Sequence, residues 1–380
     1  MSPRSVCALA AVLCLLLCFS VAQSPSRPKL RSPFPLTSFY DTSHPLPAGK
    51  PGDLLRSQRF DDYDLPRVLA TRILYRSRSA AGRDVAASGV VLTPAGKPPK
   101  DGWPVIAWAH PVLGVGRQCA PSLARNLEYG PAFSMWVGLG YAVVASDYAG
   151  LGTDFPSAVL DMHSNANDVI RAVTAARAAV PGLGARWVAL GDGEGAAAVI
   201  ALNESVQDSN FLGSVALSGV ADLRGVYERL DRTNARTLLL VHTAKALTPD
   251  VDLHEVLTDQ GTSLYGQLEK SCGIPGNSGA DLMKTGWENN RWIQKLFDEN
   301  RLGNVRASAP LLVIAGEADP VFPVDLVSST VTRLCHAGDR VQFDRYPGLT
   351  LEQVPGETVT EQTSWIRERF AGKPAPGNCH

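Results

Sequence analysis

The chain has 380 residues, 45% of them hydrophobic and 19% charged, and a formal net charge of −1. This is globular composition, with length enough for one large α/β domain and an insertion. The charge balance lacks the basic excess typical of nucleic-acid binding, so nucleic acid is not expected as a partner.

Residues 1–24 read MSPRSVCALAAVLCLLLCFSVAQS. One Arg precedes an apolar run, Cys7 to Ala22, which closes on the small-x-small set Ser20-Val21-Ala22. The pattern predicts a secretory signal cleaved after Ala22, and hence a secreted, periplasmic or cell-envelope location. An uncleaved membrane anchor is the competing reading, but the run is at the short end for a span of roughly 20 residues. Leu15-Leu16-Leu17 before Cys18 offers no small residue and argues against a lipoprotein anchor. No later segment is long and apolar enough to span a bilayer, so no span is expected once the signal is removed.

Four cysteines remain beyond the signal: Cys119, Cys272, Cys335 and Cys379. An even count in an exported chain points to two disulfides. Three pairings are possible, of which Cys119–Cys272 and Cys335–Cys379 are favoured. Zinc is the weaker reading, because no Cys or His sits at paired-ligand spacing.

Residues 23–60 are rich in Pro, Ser and charge and read as an extended arm. β-type runs at 70–77 and 84–93 flank Ala81-Gly82-Arg83 as a hairpin. Pro104–Ala109 and Tyr141–Asp147 are apolar runs suited to buried parallel strands. A helix pattern spans 161–180, with Val169, Ile170, Val173, Ala176 and Val180 near three-to-four spacing. Strands follow at 187–190 and 213–218. Residues 223–305 interrupt the alternation with charge, aromatics and helical patches, and read as a cap, the competing reading being a helical side-layer with no ligand role. Alternation resumes with a strand at 311–315, a helix at 323–337, a strand at 340–346 and a final helix near 358–371. The expected division is therefore a signal at 1–22, an arm at 23–60, an α/β core at 61–222 and 306–380, and a cap at 223–305. The fold class is α/β, a mostly parallel sheet covered by helices on both faces. Ligands in such sheets bind beyond the carboxyl ends of the strands.

One of those ends is Trp187 to Leu190, followed by Gly191-Asp192-Gly193-Glu194-Gly195 and a small-residue helix pattern. This is the strand–turn–helix context of the G-x-S-x-G nucleophile elbow. Its centre should carry a nucleophilic side chain, but Gly193 has none. Neither Asp192 nor Glu194 substitutes, because each would put a large residue where the turn needs a small one. A second G-x-S string, Gly276 to Ala280, has no preceding strand and reads as a loop.

The triad order in this topology is nucleophile, acid, His. Asp319, just past the strand 311–315, fits the acid. The competing reading is a turn-capping Asp. Only His336 and His380 follow it, one before the last strand and one the final residue. The loop after that strand, PGLTLEQVPG at 347–356, holds no His to accept a proton. The turn after strand 105–109 reads His110-Pro111-Val112-Leu113-Gly114. Pro111 has no N–H for an oxyanion, and Val112 and Leu113 make the place apolar.

These stretches carry a resemblance. PGDLLRS at 51–57, AWAH…GV…CAPS at 107–122, SDYAGLGT at 146–153, the elbow at 187–198, GEADPVFP at 316–323, YPGL at 346–349 and WIRERFAGKPAPGNC at 365–379 are similar, in order, to the secretory lipase family of α/β-hydrolases. That family includes fungal lipase-A-type enzymes and actinobacterial relatives. The resemblance implies an α/β-hydrolase fold and hydrolysis of triacylglycerols and other carboxylic esters by Ser–His–Asp chemistry. It also implies that Gly193 stands at the Ser position, Leu351 at the His position and HPVLG at the oxyanion loop, with Asp319 alone retained.

The expectation is a secreted lipase homologue without catalysis, in which His110, Val112, Leu113, Asp192 and Glu194 border a retained acyl or ester site. Losing the triad Ser and His together costs on the order of 10⁶-fold in kcat. The alternatives are an esterase with a relocated nucleophile, such as Ser271 or Ser263, and a purely structural or interaction protein. G-x-G-x-x-A at 191–196 also fits a dinucleotide fingerprint. Two carboxylates there would repel pyrophosphate, and no cofactor is expected. Asp192, Glu194 and Asp319 could converge as metal ligands, but no His is placed to join them, so no metal is expected.

Overall fold

Among the described residues, nine strands form one sheet, in which the fifth strand in chain order stands between the third and the fourth and the others follow chain order. The computed structural model describes residues 32–219, 221–273 and 279–379. The expected signal, residues 276–278 of the second G-x-S string, and His380 lie outside them.

The strands are β1 Leu54–Arg59, β2 Val68–Arg78, β3 Asp84–Pro94, β4 Trp103–Ala109, β5 Ala142–Ala149, β6 Leu183–Asp192, β7 Phe211–Leu217, β8 Leu311–Gly316 and β9 Val341–Tyr346. β1, β2, β3 and β5 pair antiparallel, and β5 through β9 run parallel. The helices are α1 Gly130–Gly138, α2 Met162–Ala179, α3 Glu194–Ser205, α4 Leu223–Tyr227, α5 Thr237–Leu247, α6 Asp259–Tyr265, α7 Arg291–Glu299, α8 Val324–His336, α9 Val354–Glu357 and α10 Val359–Phe370.

Each parallel strand feeds both faces because side chains alternate along it. Val105, Ala107 and Ala109 of β4 pack with α2 and α3 on one face. Ile106 and Trp108 pack with α1 and α10 on the other. With both faces covered, these strands are continuous apolar runs without polar alternation. α3 is buried from Glu194 to Asn203. Its alanines and glycine let it lie close to the sheet.

The sheet begins earlier than the boundary expected at residue 61. Leu54–Arg59 lies within the expected arm and pairs with β2 as an edge strand. Its last four positions are exposed, so it carries little of the apolar signal by which a strand is recognised. Residues 223–305 supply α4 to α7 between β7 and β8. Disulfides Cys119–Cys272 and Cys335–Cys379 are both present, with Cα–Cα distances of 5.3 and 5.5 Å. The first ties the segment after β4 to the insertion, and the second ties the end of α8 to the C-terminal tail. Among the described residues, no helix is long and apolar enough to cross a membrane.

Candidate functional site

The carboxyl ends of β4, β6, β8 and β9 bring four loops together. β6 ends at Asp192, and Gly193 turns the chain into α3 with φ 57° and ψ −114°. That positive φ strains any side-chain-bearing residue. The flanks need glycine for another reason, which is close approach. A Cβ on Gly191 would stand 2.1 Å from the Gly195 carbonyl oxygen, and one on Gly195 would stand 2.0 Å from the Ala109 oxygen. The strand-to-helix turn is thus sharp and tightly packed, with no side chain at its apex.

The space in front of that apex is bordered by hydrocarbon. A Cβ on Gly193 would have Pro111 Cβ at 3.1 Å, Phe322 Cε2 at 3.7 Å and Leu351 Cδ1 at 3.8 Å. Pro111 comes from the loop after β4, Phe322 from the loop after β8 and Leu351 from the loop after β9. Two backbone bonds join the last two loops. Glu317 N–H donates to the Tyr346 carbonyl at 3.0 Å, and Ala318 N–H donates to the Leu349 carbonyl at 3.1 Å.

Asp319 lies in the same paired loops and is buried. Its Oδ1 accepts N–H bonds from Val321 at 2.8 Å and Phe322 at 2.9 Å. Those bonds fix the turn that delivers Phe322 to the apex. Its Oδ2 is buried with no partner among the described residues. Desolvation raises the Asp319 pKa, and the charge of Glu352 adds to the rise; its two N–H bonds and the charge of Arg236 oppose them.

The two carboxyls that flank Gly193 have different partners. Asp192 Oδ2 accepts from the Tyr129 hydroxyl at 3.3 Å, while Oδ1 is buried without a partner among the described residues. Burial, with the charges of Asp319 and Glu352, pushes its pKa up to about 7 against the Tyr129 bond. Glu194 Oε1 accepts from Leu160 N–H at 2.5 Å and from the Asn165 amide at 2.9 Å. Burial pushes its pKa up to about 7 as well. Among the described residues, no three His, Cys, Asp or Glu side chains come together as metal ligands.

A cavity of about 110 Å³ opens at Gly193. Pro111, Val112, Glu194, Phe322 and Leu351 line it, together with Leu223, Val226, Tyr227, Arg236 and Leu239 from α4, α5 and the segment between them. Most of the wall is hydrocarbon, and Arg236 is its cation. The sequence did not single out Arg236 or Tyr227, because nothing local marks an Arg or Tyr of the insertion as facing inward.

Three expected ligand-contacting residues do not line this cavity. Asp192 is instead bonded to the Tyr129 hydroxyl. His110 and Leu113 border a separate void of about 10 Å³. The two His110 ring nitrogens face the Pro111 carbonyl at 2.7 Å and the Asp147 carbonyl at 3.1 Å. Burial lowers its pKa to about 4, and its two contacts with backbone carbonyls oppose that. Ser263 and Ser271 are exposed, and neither lines the cavity. No described histidine lines it either. His242 borders a different cleft of about 620 Å³, and His163 faces the Glu299 carbonyl at 3.0 Å.

A family model described as Secretory lipase matches residues 133–378. A Mycobacterium tuberculosis protein named "Probable inactive lipase" is 25% identical over 398 residues, covering 93% of this chain and 87% of that one. Candida antarctica lipase A in its closed state superposes with a TM-score of 0.77 at 16% identity, over 92% of this chain and 89% of that one. The rice cell wall degrading esterase LipA from Xanthomonas oryzae superposes with a TM-score of 0.70 at 17% identity, over 85% and 98%. These likenesses establish an α/β-hydrolase fold, and the match over more than half of the sequence establishes the lineage: this chain belongs to the secretory lipase family.

Proposed function

We propose that this protein is an exported, catalytically silent member of the secretory lipase family that keeps the elbow cavity as a binding site for a short acyl group. The observation that carries the reading is the contact set at the apex. Where a nucleophile would meet its base and its oxyanion donors, Gly193 faces Leu351, Phe322 and Pro111. None of these side chains can attack a carbonyl or accept a proton, and Pro111 has no N–H to offer a developing oxyanion. In this reading Gly193 holds the nucleophile position, Leu351 the base position, and Asp319 is the surviving acid. The name of the M. tuberculosis relative, which includes the word inactive, agrees with it.

The mostly apolar wall supports acyl binding. The insertion acts as a cap, since it closes the cavity with Leu223, Val226, Tyr227, Arg236 and Leu239. Export is supported by the two disulfides, which persist in oxidising compartments, and by the signal pattern of residues 1–22.

A fluorophosphonate probe reacts only with an activated serine. The purified protein should stay unlabelled while butyryl-group ligands give saturable binding. A labelled serine peptide would overturn the catalytic half of the reading, and absence of any acyl binding would overturn the other half.

A further inference from the structure

The cavity is not purely apolar, and its one cation points to the ligand's head group. Arg236 flanks the N-terminus of α5 and lines the cavity. Its Nε is buried with no hydrogen-bond partner among the described residues. Arg236 as a whole is half-buried, and an unpaired buried donor on it is costly unless a ligand completes it. Tyr227 lies on the same wall and is buried. The Arg236 charge reaches it, and opposes the burial and the Glu194 charge that raise the phenol pKa. A planar fork beside a phenolic donor matches a carboxylate, which a guanidinium binds through paired, charge-assisted hydrogen bonds.

We propose that the occupant is a short-chain carboxylate, with its head group on Arg236 and Tyr227 and its alkyl chain against Val112, Leu239, Phe322 and Leu351. This rests on the acyl-site reading above and narrows it from any acyl group to the free acid. Size supports the restriction to short chains. An apolar cavity of about 150 Å³ holds the six carbons of benzene, so one of about 110 Å³ holds roughly four carbons, those of butyrate, with its two oxygens toward half-buried Arg236.

The acidic groups around the site are Glu194 on α3, Asp192 at the end of β6, Asp319 after β8 and Glu352 after β9. Glu194, the one of these that lines the cavity, already accepts two bonds through Oε1. Its pKa of about 7 leaves it mainly protonated at pH 6, where it repels a carboxylate little.

The test is a saturation-transfer NMR titration at pH 6 with butyrate and with butyramide, its uncharged isostere. The full exported protein is compared with Arg236→Gln and Tyr227→Phe, each first checked for an unchanged thermal transition. The expected result is saturable butyrate binding, butyramide weaker by about tenfold or more, and loss of that preference in Arg236→Gln. The comparison of the two ligands on the parent protein stands even if a variant misfolds. Equal binding of butyrate and butyramide would overturn the carboxylate assignment while leaving the acyl site standing. Binding of neither would overturn both.

Discussion

Leu351 Cδ1 lies 3.8 Å from the point where a Cβ on Gly193 would stand. The two residues face one another across the elbow cavity. Behind them Asp319 Oδ2 is buried and unpartnered among the described residues. That is the oxygen available to accept an imidazole N–H.

The orphaned oxygen makes partial rescue an expected outcome. Gly193→Ser/Leu351→His should hydrolyse p-nitrophenyl butyrate above the background of the parent. Either single change should not, because nucleophile and base act as a unit. Adding Pro111→Gly should raise the rate by a further tenfold or more. It removes the contact at 3.1 Å from the new Cβ and restores a backbone N–H near the oxyanion position. Initial rates across the four variants check this.

Gly193 is also held by its backbone. At φ 57° a Cβ is strained, and the nearest neighbour, Pro111 Cβ, must move by a few tenths of an ångström to admit it. Gly193→Ala should therefore lose about 1–3 kcal/mol of stability, read as a lowered urea midpoint with an unchanged m-value. An unchanged midpoint would mean that the turn relaxes freely.

Asp192 gives a pH dependence whose sign follows from linkage. Its folded pKa is about 7, raised from the ordinary 3.8. The folded state therefore holds its proton where the unfolded chain has released it. The stabilisation is fully present below pH 3.8 and is lost as pH rises toward and through about 7. Asp168 and Glu194, also raised to about 7, act in the same direction. Asp192→Asn keeps an acceptor for Tyr129 but cannot ionise. Its melting temperature should exceed that of the parent by more at pH 8 than at pH 5. A constant difference would remove the titration argument.

The two disulfides close loops separated by 153 and 44 residues in sequence. Constraint of the unfolded chain gives each roughly 2–5 kcal/mol. Removing Cys119–Cys272 should lower stability and also weaken acyl binding, since it anchors the segment after β4 to the insertion that closes the cavity. Removing Cys335–Cys379 should lower stability alone. Calorimetry and the butyrate titration separate the two.

The α/β fold was legible in the sequence because buried parallel strands are continuous apolar runs and the elbow needs glycines at Gly191 and Gly195 for steric reasons. β1 was not, since an exposed edge strand such as Leu54–Arg59 has little apolar pattern. At the site, the motif turns identified Gly193 and Pro111, the family resemblance pointed to Leu351, and the structure brings these three to one cavity. His110 and Leu113 follow Ala109 in the chain but border another space, because proximity along a loop does not fix the direction of a side chain. Arg236 and Tyr227 reach the cavity from an insertion whose packing has no local signature.

The most direct measurement is hydrolysis of p-nitrophenyl butyrate and of a long-chain ester by the parent protein, with and without a fluorophosphonate. The account predicts no turnover above the buffer rate and no effect of the inhibitor. Turnover that the inhibitor abolishes would contradict it, and the labelled peptide would identify the nucleophile.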